Sequence, residues 1–138
     1  MTHLPSKPPI TQLAHRKVRQ HLKPGDVAMD ATCGNGQDTL FLAKGVGLKG
    51  QVYALDRQET AVMRTRRKLE EHKLLSCVSL FCGKHSEMDR WLRSKGVDQI
   101  QIAMFNLGYL PGGDKNIITS PEETLAGIQA VWPRLSEG

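Results

Sequence analysis

The 138-residue sequence has few cysteines and lacks the apolar runs that mark membrane-spanning and secretory segments. Three cysteines, Cys33, Cys77 and Cys82, are an odd number and too few for a disulfide scaffold. No run approaches the roughly 20 apolar residues of a transmembrane helix, and residues 1–9 hold no apolar signal-peptide core. We therefore expect a cytoplasmic protein without a membrane partner.

Internal repeats and low-complexity tracts are also missing, and a hydrophobic content of 39% argues against intrinsic disorder. The length predicts a single domain over residues 1–138, in which the proline-containing residues 1–9 form an N-terminal arm. Lysine and arginine total 19 against 14 acidic residues, which gives a net charge of +5. This balance suits a polyanionic partner such as RNA, although many basic enzymes bind no nucleic acid.

Short apolar runs alternate with segments of helical periodicity along the chain. The runs predict four strands, at residues 27–29, 51–55, 76–82 and 99–105. The periodic segments predict helices at residues 10–22, 38–44, 59–73, 86–95 and 121–131. Such alternation predicts an α/β fold in which a parallel sheet carries helices on both faces. In such folds ligands bind at the carboxyl ends of the strands.

A glycine loop with acidic neighbours follows the first predicted strand. Asp30 ends that strand, and Gly34 and Gly36 allow a tight turn and a close backbone approach to a ligand. The dinucleotide-binding fingerprint is not met, since Asp38 and Thr39 stand where it needs a small residue, and an acid would repel a pyrophosphate. A cationic ligand without phosphate, such as S-adenosylmethionine, fits better. The structural alternative is a tight turn capped by Asp38.

Acidic and aromatic side chains follow the next two strands. Asp56 comes 20 residues after Gly36 and is placed to accept hydrogen bonds from both hydroxyls of a ribose, or to cap the next helix. His85 lies in the turn after the third strand, beside the expected adenine position, where it would stack on the base or hydrogen-bond to it. The alternative there is a surface histidine near a helix cap.

The segment after the fourth strand combines a polar residue, an aromatic residue and glycines. Asn106 and Tyr109 have the spacing of the Asn/Asp-Pro-Pro-Tyr loop of amine methyltransferases, with both prolines replaced. In that loop an amide oxygen and backbone carbonyls hold the attacking amine, and the aromatic ring stacks on the base. Gly112, Gly113 and Lys115 extend a cationic lip suited to a phosphate backbone. An ordinary glycine-rich loop is the alternative.

Two further groups of residues invite a functional interpretation. Cys77, Cys82 and His85 lack a fourth zinc ligand, and Cys77 lies in a predicted strand, so no metal site is expected. Cys33 has no evident base beside it and is expected to be a small packing residue. Basic residues on two helices are either a solvated face or an RNA footprint: Arg16, Lys17 and Arg19 on the first, and Arg64, Arg66, Arg67, Lys68 and Lys73 on the third.

Residues 30–39, 56–58 and 103–115, together with the turn at His85, resemble the bacterial class I methyltransferases known as rRNA methylases. That family is understood as tRNA 5-(aminomethyl)-2-thiouridine methyltransferases. The resemblance runs from about residue 10 to the end of the chain. It implies a Rossmann-like class I methyltransferase domain, S-adenosylmethionine as methyl donor, S-adenosylhomocysteine as product and tRNA as partner. The acceptor would be the aminomethyl nitrogen of the wobble uridine.

The resemblance also implies roles for single residues. The methionine part of the cofactor would lie against Asp30, Gly34 and Asn35, the ribose against Asp56, and the adenosine end against Gln58 and His85. Gly36, Asp38 and Thr39 would complete the cofactor loop. Asn106 would face the transferring methyl group and the amine, and Tyr109 would shape the uridine pocket as the second catalytic residue. Gly112, Gly113 and Lys115 would contact the RNA.

The length departs from that family. A class I domain has seven strands, whereas this chain accommodates four and a closing helix, so we expect the C-terminal strands to be missing. An exposed apolar edge and self-association into a homodimer would follow. Three other functions remain open: methylation of rRNA or another RNA, a non-catalytic RNA-binding remnant of the fold, and a nicotinamide-dependent oxidoreductase, which Asp38 and Thr39 disfavour.

Overall fold

The computed structural model describes residues 10–106 and 121–136 of the chain. Within these ranges four strands form one parallel sheet: β1 (Val27–Asp30), β2 (Gln51–Asp56), β3 (Val78–Cys82) and β4 (Ile102–Met104). The helices are α1 (Ile10–His21), α2 (Gln37–Val46), α3 (Glu59–Glu71), α4 (Met88–Ser94) and α5 (Pro121–Val131). Short 3₁₀ turns span Leu75–Cys77, His85–Glu87 and Trp132–Arg134.

The strand order is β3-β2-β1-β4, so β1 lies in the interior of the sheet. Met29 of β1 pairs in register with Tyr53 of β2 on one side and Ala103 of β4 on the other. The chain progresses outward from β1 to β3 and then crosses back to β4. This reversal creates a topological switch point at β1, where open α/β sheets bind their ligands.

Alternate residues of each strand pack against different helix layers. Val52 and Ala54 join the core that contains residues of α2 and α3, whereas Leu55 joins the core that contains residues of α4 and α5. Partly buried Val18 and Leu22 at the end of α1 pack with the α2–α3 core. The expected α/β architecture with helices on both faces is therefore confirmed.

Several predicted boundaries are wrong, each for a local reason. β3 begins at Val78 because Leu75–Cys77 forms a 3₁₀ turn, so Cys77 precedes the strand that was expected to contain it. α3 ends at Glu71, and Lys73 beyond it has a φ of 59°, which cannot continue a right-handed helix. His85–Glu87 is a separate 3₁₀ turn before α4.

β4 is shorter than expected because its predicted first residues pair with a different segment. The N–H of Ile100 donates to the carbonyl of Arg134 at 2.7 Å, and the N–H of Ser136 donates to the carbonyl of Ile100 at 3.0 Å. Ile100 and Leu135 thus form a parallel bridge outside the named strands. After α5 the chain has returned to the outer side of β4.

Arg134 fixes this return. Its guanidinium donates to Asp89 at 2.9 Å and to the carbonyl of Val97 at 3.0 Å. Hydrogen bonding to Arg134 lowers the pKa of the Asp89 carboxyl. Nearby, Leu125, Ile128 and Trp132 are 54%, 41% and 73% exposed at helical spacing. The structure therefore presents an apolar surface on α5 and the following turn, whereas the expected apolar edge at the fourth strand stays a prediction.

None of the described helices combines the length and apolarity required to cross a membrane.

Candidate functional site

Residues 31–36 connect β1 to α2 across the carboxyl ends of the sheet. The N–H of Ala31 donates to the carbonyl of Met104 at 2.8 Å, and the N–H of Cys33 donates to the carbonyl of Leu55 at 2.9 Å. The loop thus continues the pairing of β1 with both neighbours and lies over the switch point. Gly34 and Gly36 take φ values of 51° and 85°, in the region that glycine adopts at no steric cost.

Asp30 supports this loop from inside the protein. Its side chain is fully buried, accepts a hydrogen bond from the Thr39 hydroxyl at 2.6 Å, and accepts another from the N–H of Thr32 at 3.1 Å. Burial raises the pKa of the Asp30 carboxyl to about 7, and the charges of Asp38 and Asp56 act in the same direction. Asp30 and Thr39, both predicted site residues, therefore form one buried pair beneath the loop.

Asp56 lies at the end of β2, beside the loop. One carboxylate oxygen accepts the N–H of Gly34 at 3.1 Å, and the other accepts the N–H of Gln58 at 2.9 Å. An ionised carboxylate has about four acceptor positions, so these two bonds leave capacity for hydroxyl groups of a ligand. Gln58 is buried and immediately precedes α3. The structure therefore brings together Gly34, Asp56 and Gln58 as the sequence predicted.

Asp38 pairs with a residue that the sequence analysis did not consider. The His15 ring of α1 donates to its carboxylate at 2.5 Å and stacks on Phe41 at a centroid distance of 3.9 Å. Gly36 is the N-cap residue of α2 and has no side chain to cap it, and the carboxylate of Asp38 in the first turn pairs with α1. Nothing in the local pattern of the first helix identifies this pairing.

His85 is enclosed by protein. Its side chain is 3% exposed, and its Nε2 N–H donates to the carbonyl of Ala31 at 2.6 Å. The ring meets the edge of Phe105 at a centroid distance of 5.6 Å, and Gly127 of α5 approaches it so closely that an added Cβ would lie 3.1 Å from the His85 Cβ. This burial is at odds with the alternative of a surface histidine, whereas the expected contact of His85 with adenine stays a prediction. His85 therefore contacts both the loop after β1 and α5.

Asn106 lies two residues beyond the end of β4 and is exposed. Its backbone N–H donates to Oγ1 of Thr32 at 2.6 Å, which holds it next to the glycine loop. Thr32 was not predicted, although its place between Asp30 and Gly34 was a signal. The other residues predicted after β4 lie outside the described residues: Tyr109, Gly112, Gly113 and Lys115.

The exposed tip of the glycine loop reaches α3. Arg64 donates to the side-chain oxygen of Asn35 at 3.4 Å, and Thr65 donates to the carbonyl of Gly34 at the same distance. An added Cβ on Gly36 would lie 3.0 Å from the Cα of Thr65. Close packing against α3 therefore also shapes the loop.

The cysteines behave as structural residues. Cys33 is buried, and burial raises the pKa of its thiol, which opposes a nucleophilic role. Cys77 is buried and Cys82 is exposed. In the part of the chain that the structure describes, no group of three His, Cys, Asp or Glu residues could hold a metal ion.

The charges at this edge of the sheet define which ligands fit it. The charges of Asp38 and Asp56 act on the Asp30 carboxyl there, and Asp56 has unused acceptor positions beside a backbone that a ligand can approach. A diphosphate would be repelled by these carboxyl groups. A ligand that combines positive charge with a ribose fits the arrangement.

Comparison with known proteins gives a consistent set of matches. Residues 52–138 match the family described as "Putative rRNA methylase". The chloroplast tRNA (mnm5s2U34)-methyltransferase of Arabidopsis thaliana is 40% identical over 136 residues, which cover 93% of this chain and 49% of the relative. This chain therefore spans about half the length of that relative.

Solved structures agree with this match. One described as an rRNA-methylase from Clostridium thermocellum has a TM-score of 0.88 and 38% identity, covering 98% of this chain and 70% of its own. A Streptococcus mutans structure, described as a methyltransferase in complex with SAH, has a TM-score of 0.82 and 38% identity, covering 96% and 69%.

Proposed function

We propose that this chain, which belongs to the "Putative rRNA methylase" family and has the Rossmann-like fold of class I methyltransferases, takes part in methyl transfer from S-adenosylmethionine to a nitrogen of RNA. The observation that carries the proposal is the Asp56 carboxylate, which lies against Gly34 with acceptor positions left for a ribose. The acidic surroundings of the loop favour a ligand that carries a sulfonium and an ammonium group.

For the acceptor, we propose the aminomethyl nitrogen of 5-aminomethyl-2-thiouridine at the wobble position of tRNA. The support is the activity for which the Arabidopsis relative, at 40% identity, is named. The family description instead names rRNA. Ribosomal RNA is therefore the second candidate acceptor, and both candidates require a nitrogen or other nucleophile that reaches the switch point.

S-adenosylmethionine would supply an electrophilic methyl group; in an in-line displacement the new nitrogen–carbon bond would form as the sulfur–carbon bond breaks, the neutral thioether would leave, and water would take up the proton of the resulting ammonium. The protein contributes by positioning the two reactants rather than by acid or base chemistry. Asp56 accepts hydrogen bonds from the ribose hydroxyls, and the loop backbone at Gly34 approaches the methionine part of the cofactor. Asn106, held next to the loop through Thr32, orients the incoming amine.

Calorimetric titration of S-adenosylmethionine tests the cofactor assignment. Asp56→Asn removes the charge and part of the acceptor capacity while preserving side-chain shape, so we expect binding to be lost or weakened at least tenfold, about 1.4 kcal/mol. Asp98→Asn is the matched control, since Asp98 is exposed and lies before β4. Equal affinity of the two variants would contradict the role of Asp56.

A transfer assay on undermodified tRNA and on rRNA tests the acceptor. Asn106→Ala is expected to retain nearly all cofactor affinity and to lose transfer, because the residue acts on the amine. Transfer to rRNA alone would replace the tRNA proposal by the rRNA candidate. Cofactor binding without transfer to either RNA would favour the non-catalytic RNA-binding function.

A further inference from the structure

The positive charge of the protein is concentrated on one face of the sheet. Helices α1, α2 and α3, whose residues share one core, contain eight lysines and arginines: Arg16, Lys17, Arg19, Lys44, Arg64, Arg66, Arg67 and Lys68. The same helices contain four acids: Asp38, Glu59, Glu70 and Glu71. Helices α4 and α5, on the other face, contain more acids than bases. The net charge of +5 is therefore strongly asymmetric.

A shallow groove on this basic face reaches the candidate site. We name it the basic groove, and it is lined by Asn35, Gln37, Arg64, Arg67, Lys68 and Glu71. Its upper end is the tip of the glycine loop, and its lower end lies about two turns further along α3. The groove thus leads from the side of the protein to the carboxyl ends of the strands.

The lining of the basic groove specifies the chemistry of its ligand. All six lining residues are polar or charged, and three of them are cationic against one acid. Among the residues that the structure describes, no ion pair joins Arg67 or Lys68 to an acid. A phosphate backbone would meet guanidinium and ammonium donors together with the neutral amides of Asn35 and Gln37.

We infer that the basic groove is the surface on which the phosphate backbone of the RNA docks. This inference rests on the proposed function, because RNA is the substrate whose backbone the groove would hold. Contact with phosphates fixes the register of a nucleic acid without reading its sequence. A strand held along α3 reaches the edge of the sheet at Asn35, on the glycine loop that Asn106 also contacts through Thr32. The groove therefore provides positioning, and the base is recognised elsewhere.

A matched pair of charge reversals tests this surface. Arg67→Glu changes the basic groove, and Arg90→Glu makes the same change at an exposed position of α4 on the opposite face. The probe is a fluorescently labelled short RNA stem-loop, followed by anisotropy between about 50 and 200 mM salt. Calorimetric binding of S-adenosylmethionine and the thermal midpoint serve as folding controls, since neither depends on RNA.

The expected result is a loss of RNA affinity of about tenfold or more for Arg67→Glu at low salt, with a salt slope lower by about one to two. Arg90→Glu is expected to stay near wild-type affinity. If both charge reversals weakened RNA binding equally, the effect would be due to the overall charge of the protein, and the inference would be overturned. Wild-type affinity in Arg67→Glu would also overturn it, as would binding of anionic lipid vesicles without binding of the stem-loop.

Failure of the proposed function gives a different pattern. If folded wild-type protein binds no S-adenosylmethionine but Arg67→Glu still weakens RNA binding selectively, the docking surface stands and the transferase proposal fails. If the cofactor binds and Arg67→Glu leaves both RNA affinity and the KM for RNA unchanged, the docking surface fails alone.

Discussion

The backbone N–H of Asn106 donates to the side-chain hydroxyl oxygen of Thr32 at 2.6 Å. This bond joins the loop after β1 to the residue that follows β4, across the switch point of the sheet. The N–H of Thr32 in turn donates to Asp30. Thr32 is therefore hydrogen-bonded both to the buried carboxyl of Asp30 and to the exposed Asn106. The position of Asn106 therefore depends on a side chain more than 70 residues earlier in the chain.

Replacing Thr32 by valine keeps its shape and removes the acceptor for Asn106. We expect a loss of stability of about 1 kcal/mol, because the Asn106 N–H then relies on water. The rate of methyl transfer should fall more than the affinity for the cofactor, since the proposed role of Asn106 is to orient the incoming amine. Thr32→Ser keeps the hydroxyl and should restore most of the activity. Denaturant unfolding, calorimetry and the transfer assay measure the three effects, and full activity of the valine variant would contradict the support role.

Asp30 predicts an unusual pH dependence of stability. Its pKa is raised by burial from 3.8 to about 7, so the folded protein retains a proton there that the unfolded chain has lost. This carboxyl therefore lowers the free energy of unfolding as pH rises from about 4 to 7, by at most about 4 kcal/mol. Asn at this position cannot ionise. Urea unfolding at pH 5 and pH 8 should show a smaller loss of stability in Asp30→Asn than in the wild type; equal losses would refute the assignment.

Gly36→Ala separates backbone strain from steric contact. Gly36 and Gly25 have similar φ values of 85° and 91°, but only at Gly36 would the new Cβ meet an atom within 4 Å, the Cα of Thr65 at 3.0 Å. Gly25→Ala is expected to cost about 1–2 kcal/mol, the penalty for an L-residue in this region. Gly36→Ala should cost more and should also impair cofactor binding, because α3 and the loop must separate. Similar unfolding midpoints for both variants would mean that contact with Thr65 adds nothing.

The apolar surface on α5 predicts self-association of this chain. Trp132 is 73% exposed, and Leu125 and Ile128 lie at helical spacing on the same side. Sedimentation velocity should show a concentration-dependent increase in mass that Trp132→Glu reduces. Leu48→Glu is the control, because Leu48 is 68% exposed in the turn after α2. A monomer at all concentrations, or equal effects of the two substitutions, would rule out association through this surface.

The sequence predicted the features that depend on local patterns. Apolar runs located all four strands, and glycines between acids located the loop after β1. Strand ends were less accurate where tertiary pairing competes with local preference, as at Ile100, which pairs with Leu135. Asp56 could be predicted to lie at the carboxyl edge of the sheet because it ends an apolar run, whereas Gln58 was named only through the family resemblance.

Local sequence patterns could not predict contacts between residues that are far apart in the chain. The bond between His15 and Asp38 joins residues 23 apart, and the bond between His85 and Ala31 joins residues 54 apart. Nothing in the local sequence of His85 distinguishes a ring that faces a ligand from one that is buried beneath a loop. The close approach of Gly127 of α5 excludes a surface position for His85, and this contact is visible only once the helices are packed.

The interior position of β1 also constrains how the chain acquires its structure during synthesis. β1 pairs with β2 soon after both have left the ribosome, but its other neighbour, β4, is made roughly 70 residues later than β1. Until Met104 has emerged, the second side of β1 is an unpaired strand edge available to other chains. Because pairings of such sequence separation form slowly, we expect the nascent chain to expose this strand edge for an interval before β4 pairs with it.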